Sequence, residues 1–371
     1  MNLKENLKIG VSPQIHGRDS TAKIMWTVIL TLVPAGIWGV YVYGIRALFV
    51  LIVSILSAVI TEYVINLFTK KNTITDGSAF LTGLLVGFNM PPSIPGFIPV
   101  IASVFAIAVV KWSFGGLGNN WANPALAGRA FVFFSWSKEM AMWKAPITNQ
   151  GIDALSGASP LGFVKTTLLN YSGGAKSPMG ILRDAYPRSG MDSGITAWIN
   201  KNILSFFNLS LPEGYGDLFI GNISGCIGEV SALLLLAGVL ILFIRKIVTW
   251  EIPVSYLASF GFLVLLFGGL RYNNGFFTGD VFFHLFTGGL FLGAFYMATD
   301  MVTSPLTRKG MIIFGVGAGI LTFLIRFYGS LPEGVSLAIL LMNICVAFIN
   351  RYTPPKRFGI AKDKKEDGGK I

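Results

Sequence analysis

Long apolar runs alternate along the chain with short polar breaks, and ten such runs can be traced. Five lie near 24–43, 46–68, 76–90, 97–113 and 122–138; five more lie near 226–244, 252–270, 280–299, 310–326 and 333–350. Ile24 to Tyr43 carries no charge over about 20 residues, enough for a helix to cross a hydrocarbon core of about 30 Å. Several runs are nearer to about 15 residues, and short or broken helices of that kind line cavities in transporters rather than lipid. Between the two sets, residues 139–224 are rich in Gly, Ser, Asn and Pro and carry charges of both signs. That stretch is too polar to span a bilayer and reads as one large extramembrane insertion. The first 23 residues are polar and lack the short apolar core and small-residue cleavage site of a signal peptide.

The two halves share a pattern. "FLTGLLVGFNMPPSIPG" at 80–96 and "LFTGGLFLGAFYMATDMVTSPLTRKG" at 285–310 each run from Thr-Gly through an apolar run to a polar break with proline and a later glycine. Five crossings per half is an odd number, so the halves would sit upside down relative to each other, with broken helices meeting near the midplane. The expected fold is all-α and polytopic: about ten transmembrane helices in two inverted five-helix repeats. The parts are an N-terminal segment (1–23), the repeats (24–138 and 225–350), the insertion (139–224) and a basic tail (351–371).

Composition agrees with a membrane class. The chain is 53% hydrophobic and 13% charged, against about 25% charged in a soluble domain. Its net charge of +11 does not form one basic stripe with aromatics, so it does not point to nucleic acid. The basic residues cluster at the ends of apolar runs instead. With both termini in the cytoplasm, inner segments hold eighteen Lys and Arg, Lys111 among them, while short outer loops hold three, Arg46, Arg271 and Arg326. That asymmetry sets the orientation and places the insertion outside the cytoplasm.

Ionisable residues inside apolar runs carry a cost that implies function or a partner. Glu62 lies in the second run and Arg129 in the fifth; Glu229 opens the sixth. Asp76, Asp280 and Glu333 sit at run starts, where a carboxylate caps free N–H groups. Asp300, in the polar break "ATDMVTSP", fits a ligand or ion role as well as a turn role. Arg129 needs a carboxylate, a phosphate or carbonyls.

"KWSFGGLGNNWANPALAGRAF" at 111–131 gathers glycines, the amides of Asn120 and Asn123, and three aromatics, Trp112, Phe114 and Trp121. Amides suit the polar edge of a heterocycle and aromatics its faces, so the stretch points to a planar polar ligand. His16 and His284 have no neighbouring His or Cys in sequence, so metal binding is not expected. Cys226 and Cys345 are too few for a zinc or iron–sulfur site and read as small hydrophobic residues.

One stretch of the insertion, "DALSGASPL" at 153–161, offers two hydroxyls, Ser156 and Ser159, with no base nearby. A serine is a poor nucleophile unless activated, and no GxSxG elbow occurs. Self-contained hydrolysis is not expected on that ground. What remains is that either serine is the substrate of another enzyme, in an exposed loop.

Seven blocks in order carry a family resemblance: "SPQIH", "DGSAFLTGLLVGFNMPP", "NNWANPALAGRAFVFF", "DALSGASPL", "TWEIPVSY", "MATDMVTSPLT" and "LPEGVSLAILLMN". The chain resembles the RnfD family, the D-type membrane subunits of the Rnf ion-translocating electron-transfer complex. It is similar also to their relatives, the B-type subunits of the sodium-pumping NADH:quinone reductase; the short N-terminal segment favours the former. The resemblance implies that a flavin transferase joins FMN by a phosphoester to Ser159, a serine where the family has threonine. Asp153, Ser156, Gly157 and Ala158 would complete that motif. It also implies a second, riboflavin-type flavin held non-covalently near Asn120, Asn123 and Asp300. Arg129 is our own candidate for stabilising a reduced flavin.

The implied function is electron transfer between ferredoxin and NAD+, coupled to Na+ or H+ movement, in the cytoplasmic (inner) membrane. Partners would be a second FMN-carrying subunit, iron–sulfur subunits, the transferase and the lipid bilayer. No NAD fingerprint or cluster-binding cysteine set occurs in this chain. A channel without redox function, similar in plan to urea transporters, would explain the repeats but not the serine loop.

Overall fold

The computed structural model describes residues 20–71, 73–147, 158–170, 177–185, 190–202, 205, 212–229 and 231–355. Their regular structure is helical. In chain order come α1 (Thr21–Tyr43), α2 (Ile45–Thr69), α3 (Ser78–Phe88), α4 (Phe97–Val104, widening into π turns through Lys111), α5 (Pro124–Ser135) and α6 (Ser137–Met140). The insertion contributes α7 (Pro160–Asn170), α8 (Pro178–Ala185), α9 (Gly190–Asn202) and α10 (Tyr215–Ile220). The second half holds α11 (Ala232–Ile244), α12 (Glu251–Phe267, tightening into 3-10 turns through Tyr272) and α13 (Val281–Phe286). Then follow α14 (Leu290–Leu292, widening through Met297), α15 (Arg308–Tyr328) and α16 (Val335–Tyr352).

Among the described residues, five helices are long and apolar enough to cross a membrane: α1, α2, α12 with its extension, α15 and α16. They turn large apolar side chains outward, among them Leu30 at 68% and Phe68 at 84% exposure, a surface suited to lipid. The chain is therefore a multi-pass membrane protein. The short apolar runs become short helices, as their length predicts: the 11 residues of α3 span only about 16 Å. Small residues allow close helix contacts. A Cβ on Gly83 of α3 would lie 2.7 Å from Ile55 Cα of α2, and one on Gly319 of α15 would lie 2.0 Å from Ser259 Oγ of α12.

Two helices break off inside the protein, and one segment lies against both ends. After α3, the carbonyls of Phe88 and Met90 accept from Gly228 N (2.9 Å) and Ile227 N (3.2 Å). Between α13 and α14 the break is Thr287–Gly289, where Gly288 and Gly289 have φ of 71° and 66°, a conformation that favours glycine. A Cβ on Gly289 would meet Glu229 Oε1 at 2.2 Å. The apolar pattern predicts that Glu229 opens the sixth helix, but α11 starts at Ala232 behind the Ser231 cap. Glu229 sits in an irregular stretch before Ser231, whose hydroxyl caps α11.

The insertion is fastened to the second half. Lys165 Nζ donates to the carbonyls of Gly329 (2.6 Å), Leu331 (3.1 Å) and Arg326 (3.4 Å). Tyr215 donates to Asp280 Oδ2 at 2.6 Å, while Asp280 Oδ1 caps α13 by accepting from Phe283 N at 3.0 Å.

Candidate functional site

Asn120, Asn123 and Asp300, far apart in sequence, line one cleft together with Lys111, Phe295 and Tyr296. Both π-turn segments end on it, and such local widening is frequent at functional sites. Asn123 is the N-cap of α5: its Oδ1 accepts from Ala125 N (3.0 Å) and Leu126 N (3.3 Å), as expected ahead of Pro124. Its Nδ2 donates to Met297 O at 3.1 Å, tying the first half to the second. Asp300 closes a turn, accepting from Thr303 Oγ1 at 3.1 Å. Asn120 differs: its Oδ1 is buried and has no hydrogen-bond partner among the described residues.

The aromatics of the glycine-rich stretch do not wall this cleft. Phe114 and Trp121 are 61% and 47% exposed, and Trp112 packs beneath Lys71, whose Nζ lies 5.7 Å from the ring centroid. The aromatic wall comes from the second half, Phe295 and Tyr296. An unpaired amide oxygen beside an aromatic and apolar wall suits a planar heterocycle with a polar edge, so the residues fit a flavin ring.

A buried ion pair backs the cleft. Lys111, counted above with the cytoplasmic loop cations, is 1% exposed and pairs with Glu62 of α2 at 2.6 Å. Its Nζ also donates to Ser78 Oγ at 2.6 Å, and Thr73 Oγ1 donates to Glu62 Oε1 at 2.5 Å. Asp76 accepts from the Ser78 backbone N–H at 2.8 Å and from its hydroxyl, so it serves the first N–H of α3 although Gly77 holds the cap position.

Arg129 lies in a separate cluster. Its guanidinium donates to the Glu333 carboxylate and to Ser336 Oγ. Cys226 Sγ stands 3.7 Å from Nη2 and Glu229 Oε1 3.9 Å from Nη1. The carboxylate that Arg129 requires is thus Glu333, which does not cap α16; the residue at that cap is Gly334. Cys226 is more than filler, since its thiol donates to Asn89 O at 3.3 Å. The ligand atoms of Cys226, Glu229 and Glu333 lie within 4.8 Å of one another, and Arg129 already supplies the cation that such a set attracts.

Ser159 adjoins this cluster. It shares a cavity of about 10 Å³ with Glu229, Glu333 and Gly288, the size of a single water site. Sequence reasoning expects an exposed hydroxyl; the structure has Ser159 5% exposed. Its Oγ accepts from Gly162 N at 3.2 Å and its carbonyl from Phe163 N at 2.8 Å, which makes it the N-cap of α7. A phosphoester on that oxygen does not fit while Ser159 holds the cap. Ala158 is described beside it; Asp153, Ser156 and Gly157, like His16, lie outside the described residues.

With this geometry in place, comparison with known proteins is informative. The model of the NQR2, RnfD, RnfE family matches residues 8–359. The chain belongs to this family. It is 43% identical to the D subunit of the proton-translocating ferredoxin:NAD(+) oxidoreductase complex of Clostridium ljungdahlii, over 96% of this chain and 98% of that one. It is 40% identical to the D subunit of the Na(+)-translocating ferredoxin:NAD(+) oxidoreductase complex of Acetobacterium woodii, over 97% and 98%. It is 33% identical to the D subunit of the ion-translocating oxidoreductase complex of Yersinia enterocolitica, over 97% and 100%. Family membership thus spans both halves, the insertion and both charged clusters. Sequence reasoning had missed the pairing of Lys111 with Glu62; a lysine ending an apolar run reads as a residue reaching for water.

Proposed function

We propose that this chain is the D subunit of a ferredoxin:NAD+ oxidoreductase complex coupled to Na+ or H+ movement, and that it carries electrons within the membrane. The observation that carries the reading is the cleft: Asn120 Oδ1 stands unpaired beside Asn123 and Asp300 in a pocket walled by residues of both halves. Relatives covered end to end and named as the D subunits of such complexes support it. Flavin would supply the redox chemistry. In the cleft, Asn120 would orient its polar edge, Phe295 and Tyr296 would exclude water, and Asn123 would hold the two halves together.

The second carrier we propose is FMN, esterified through its phosphate to Ser159 by a flavin transferase. Attachment there entails a different position for the first turn of α7, because the hydroxyl would have to leave its cap. Arg129 and Glu333 would then border the modified residue. The arrangement we propose for the whole chain is ten spans in two inverted repeats, with cytoplasmic termini and the insertion outside the cytoplasmic membrane. Partners would be a second FMN-carrying subunit and iron–sulfur subunits.

Co-expression with the transferase, followed by a denaturing gel under ultraviolet light, tests this reading. The band is expected to fluoresce, to lose fluorescence in Ser159→Ala and to keep it in Ser156→Ala. A dark wild-type band would leave the channel reading in its place.

A further inference from the structure

The outer surface of a membrane protein is poor in basic residues, and of the three short-loop cations proposed to face outward, two converge. Arg271 and Arg326 line one small pocket together with Lys165 from α7 and with His284 and Tyr272. Among the described residues, no carboxylate lines it. The acids whose charge reaches this pocket, Asp280, Glu229 and Glu333, lie outside its lining and offset only part of the charge of its three cations. Asp280 accepts from Tyr215 and caps α13, while Glu229 and Glu333 face Arg129.

The cations themselves are held by neutral partners. Arg326, 4% exposed, donates to the carbonyls of His284 (2.6 Å), Glu333 (3.1 Å), Thr287 (3.3 Å) and Gly288 (3.5 Å). Lys165 likewise donates to three carbonyls. Carbonyls satisfy hydrogens without cancelling charge. Burial, with Arg271 and Arg326 nearby, accordingly pushes the Lys165 ammonium below the ordinary lysine range. His284 is 4% exposed, and both of its ring nitrogens lack partners among the described residues. A buried imidazole with neither nitrogen paired has lost its water without a replacement partner, a cost that an occupant of the site would offset.

We infer that this pocket is a binding site for a phosphate-type oxyanion, held by Arg271 and an N–H of His284, with the carbonyl-bound Lys165 and Arg326 contributing positive charge rather than hydrogen bonds. Three cations, two of them held in place by carbonyls, around an unpaired donor suit an acceptor with multiple oxygens. Inorganic phosphate and the headgroup of an anionic phospholipid share that chemistry. The site rests on the orientation proposed above but not on the flavin, so Ser159→Ala, which cannot carry FMN there, serves as host alongside the wild type.

The test is the thermal unfolding midpoint of the full chain. Delipidated protein would be titrated with inorganic phosphate or with chloride at matched ionic strength. A second arm compares nanodiscs of phosphatidylglycerol with nanodiscs of phosphatidylcholine. A saturable rise with phosphate, or a higher midpoint in phosphatidylglycerol, supports the site and tells free anion from headgroup. The rise should appear equally in Ser159→Ala, and Arg271→Gln and His284→Phe should each weaken the apparent affinity about tenfold, the loss of one charge-assisted or buried contact. His284→Phe keeps the ring packing against Phe327, so it separates recognition from folding. No shift beyond chloride together with no lipid preference would overturn the inference, as would shifts undiminished in both variants.

Discussion

Two regions of the molecule each place a polar cavity beside buried charge, and they are built differently. In the cleft, Lys111 and Glu62 form a one-to-one pair that is 1% and 0% exposed, while the buried Asn120 Oδ1 is left unpaired among the described residues. At Ser159 the roles are reversed: the candidate hydroxyl is already bonded, and the charges are one arginine facing two carboxylates. In the first region Lys111 and Glu62 balance each other, and the groups left over in the lining are the Asn120 amide oxygen and the Asp300 carboxylate, which has only neutral partners. The second must rearrange before its serine can carry anything. Readiness to bind is therefore set by which polar atom is left over, not by how polar the lining is.

The strongest way to break this comparison is Arg129→Met. It leaves Glu229 and Glu333 together without their guanidinium, and breaking a buried ion pair costs about 3–5 kcal/mol. We expect sharply reduced folded yield in detergent size-exclusion profiles, with partial recovery when Glu333→Gln is added. Lys111→Met should cost about 3 kcal/mol, the lower part of that range, because one carboxylate is stranded and not two. Here the double variant Lys111→Met/Glu62→Leu should recover most of the unfolding midpoint; if it does not, the pair is not the self-contained unit described.

Asn123→Ala removes the α5 cap and the bond to Met297 O, an expected loss of about 2 kcal/mol by thermal unfolding. Asn120→Leu has the smallest effect on stability, within about 0.5 kcal/mol, since no bond is lost. It should nevertheless lower the flavin released on acid precipitation while leaving any covalent flavin on the gel band. Equal loss of both would merge the two regions into one site.

Much of this arrangement is legible along the chain. The long apolar runs give α1, α2, α12, α15 and α16, and Pro124 after Asn123 marks the start of α5. Asp280 caps α13 as its position predicts, and Asp76 serves the first N–H of α3 from one residue before the cap. The requirement of Arg129 for a carboxylate is legible too, but not that Glu333 answers it, because only the packing of α5 against α16 brings the two within reach. Glu62 and Lys111 are 49 residues apart, and nothing local in either run reports the other. Ser159 is the instructive miss. Small residues on its N-terminal side read as loop, yet Pro160 at a first helical position and a serine ahead of it also spell a helix start.

The most direct test of the central claim is the mass of the peptide spanning residues 153–161, from the protein isolated within its own membrane complex. The account predicts that peptide with one FMN attached through its phosphate, with fragmentation placing the adduct on Ser159. An unmodified peptide, or an adduct on Ser156, would contradict it.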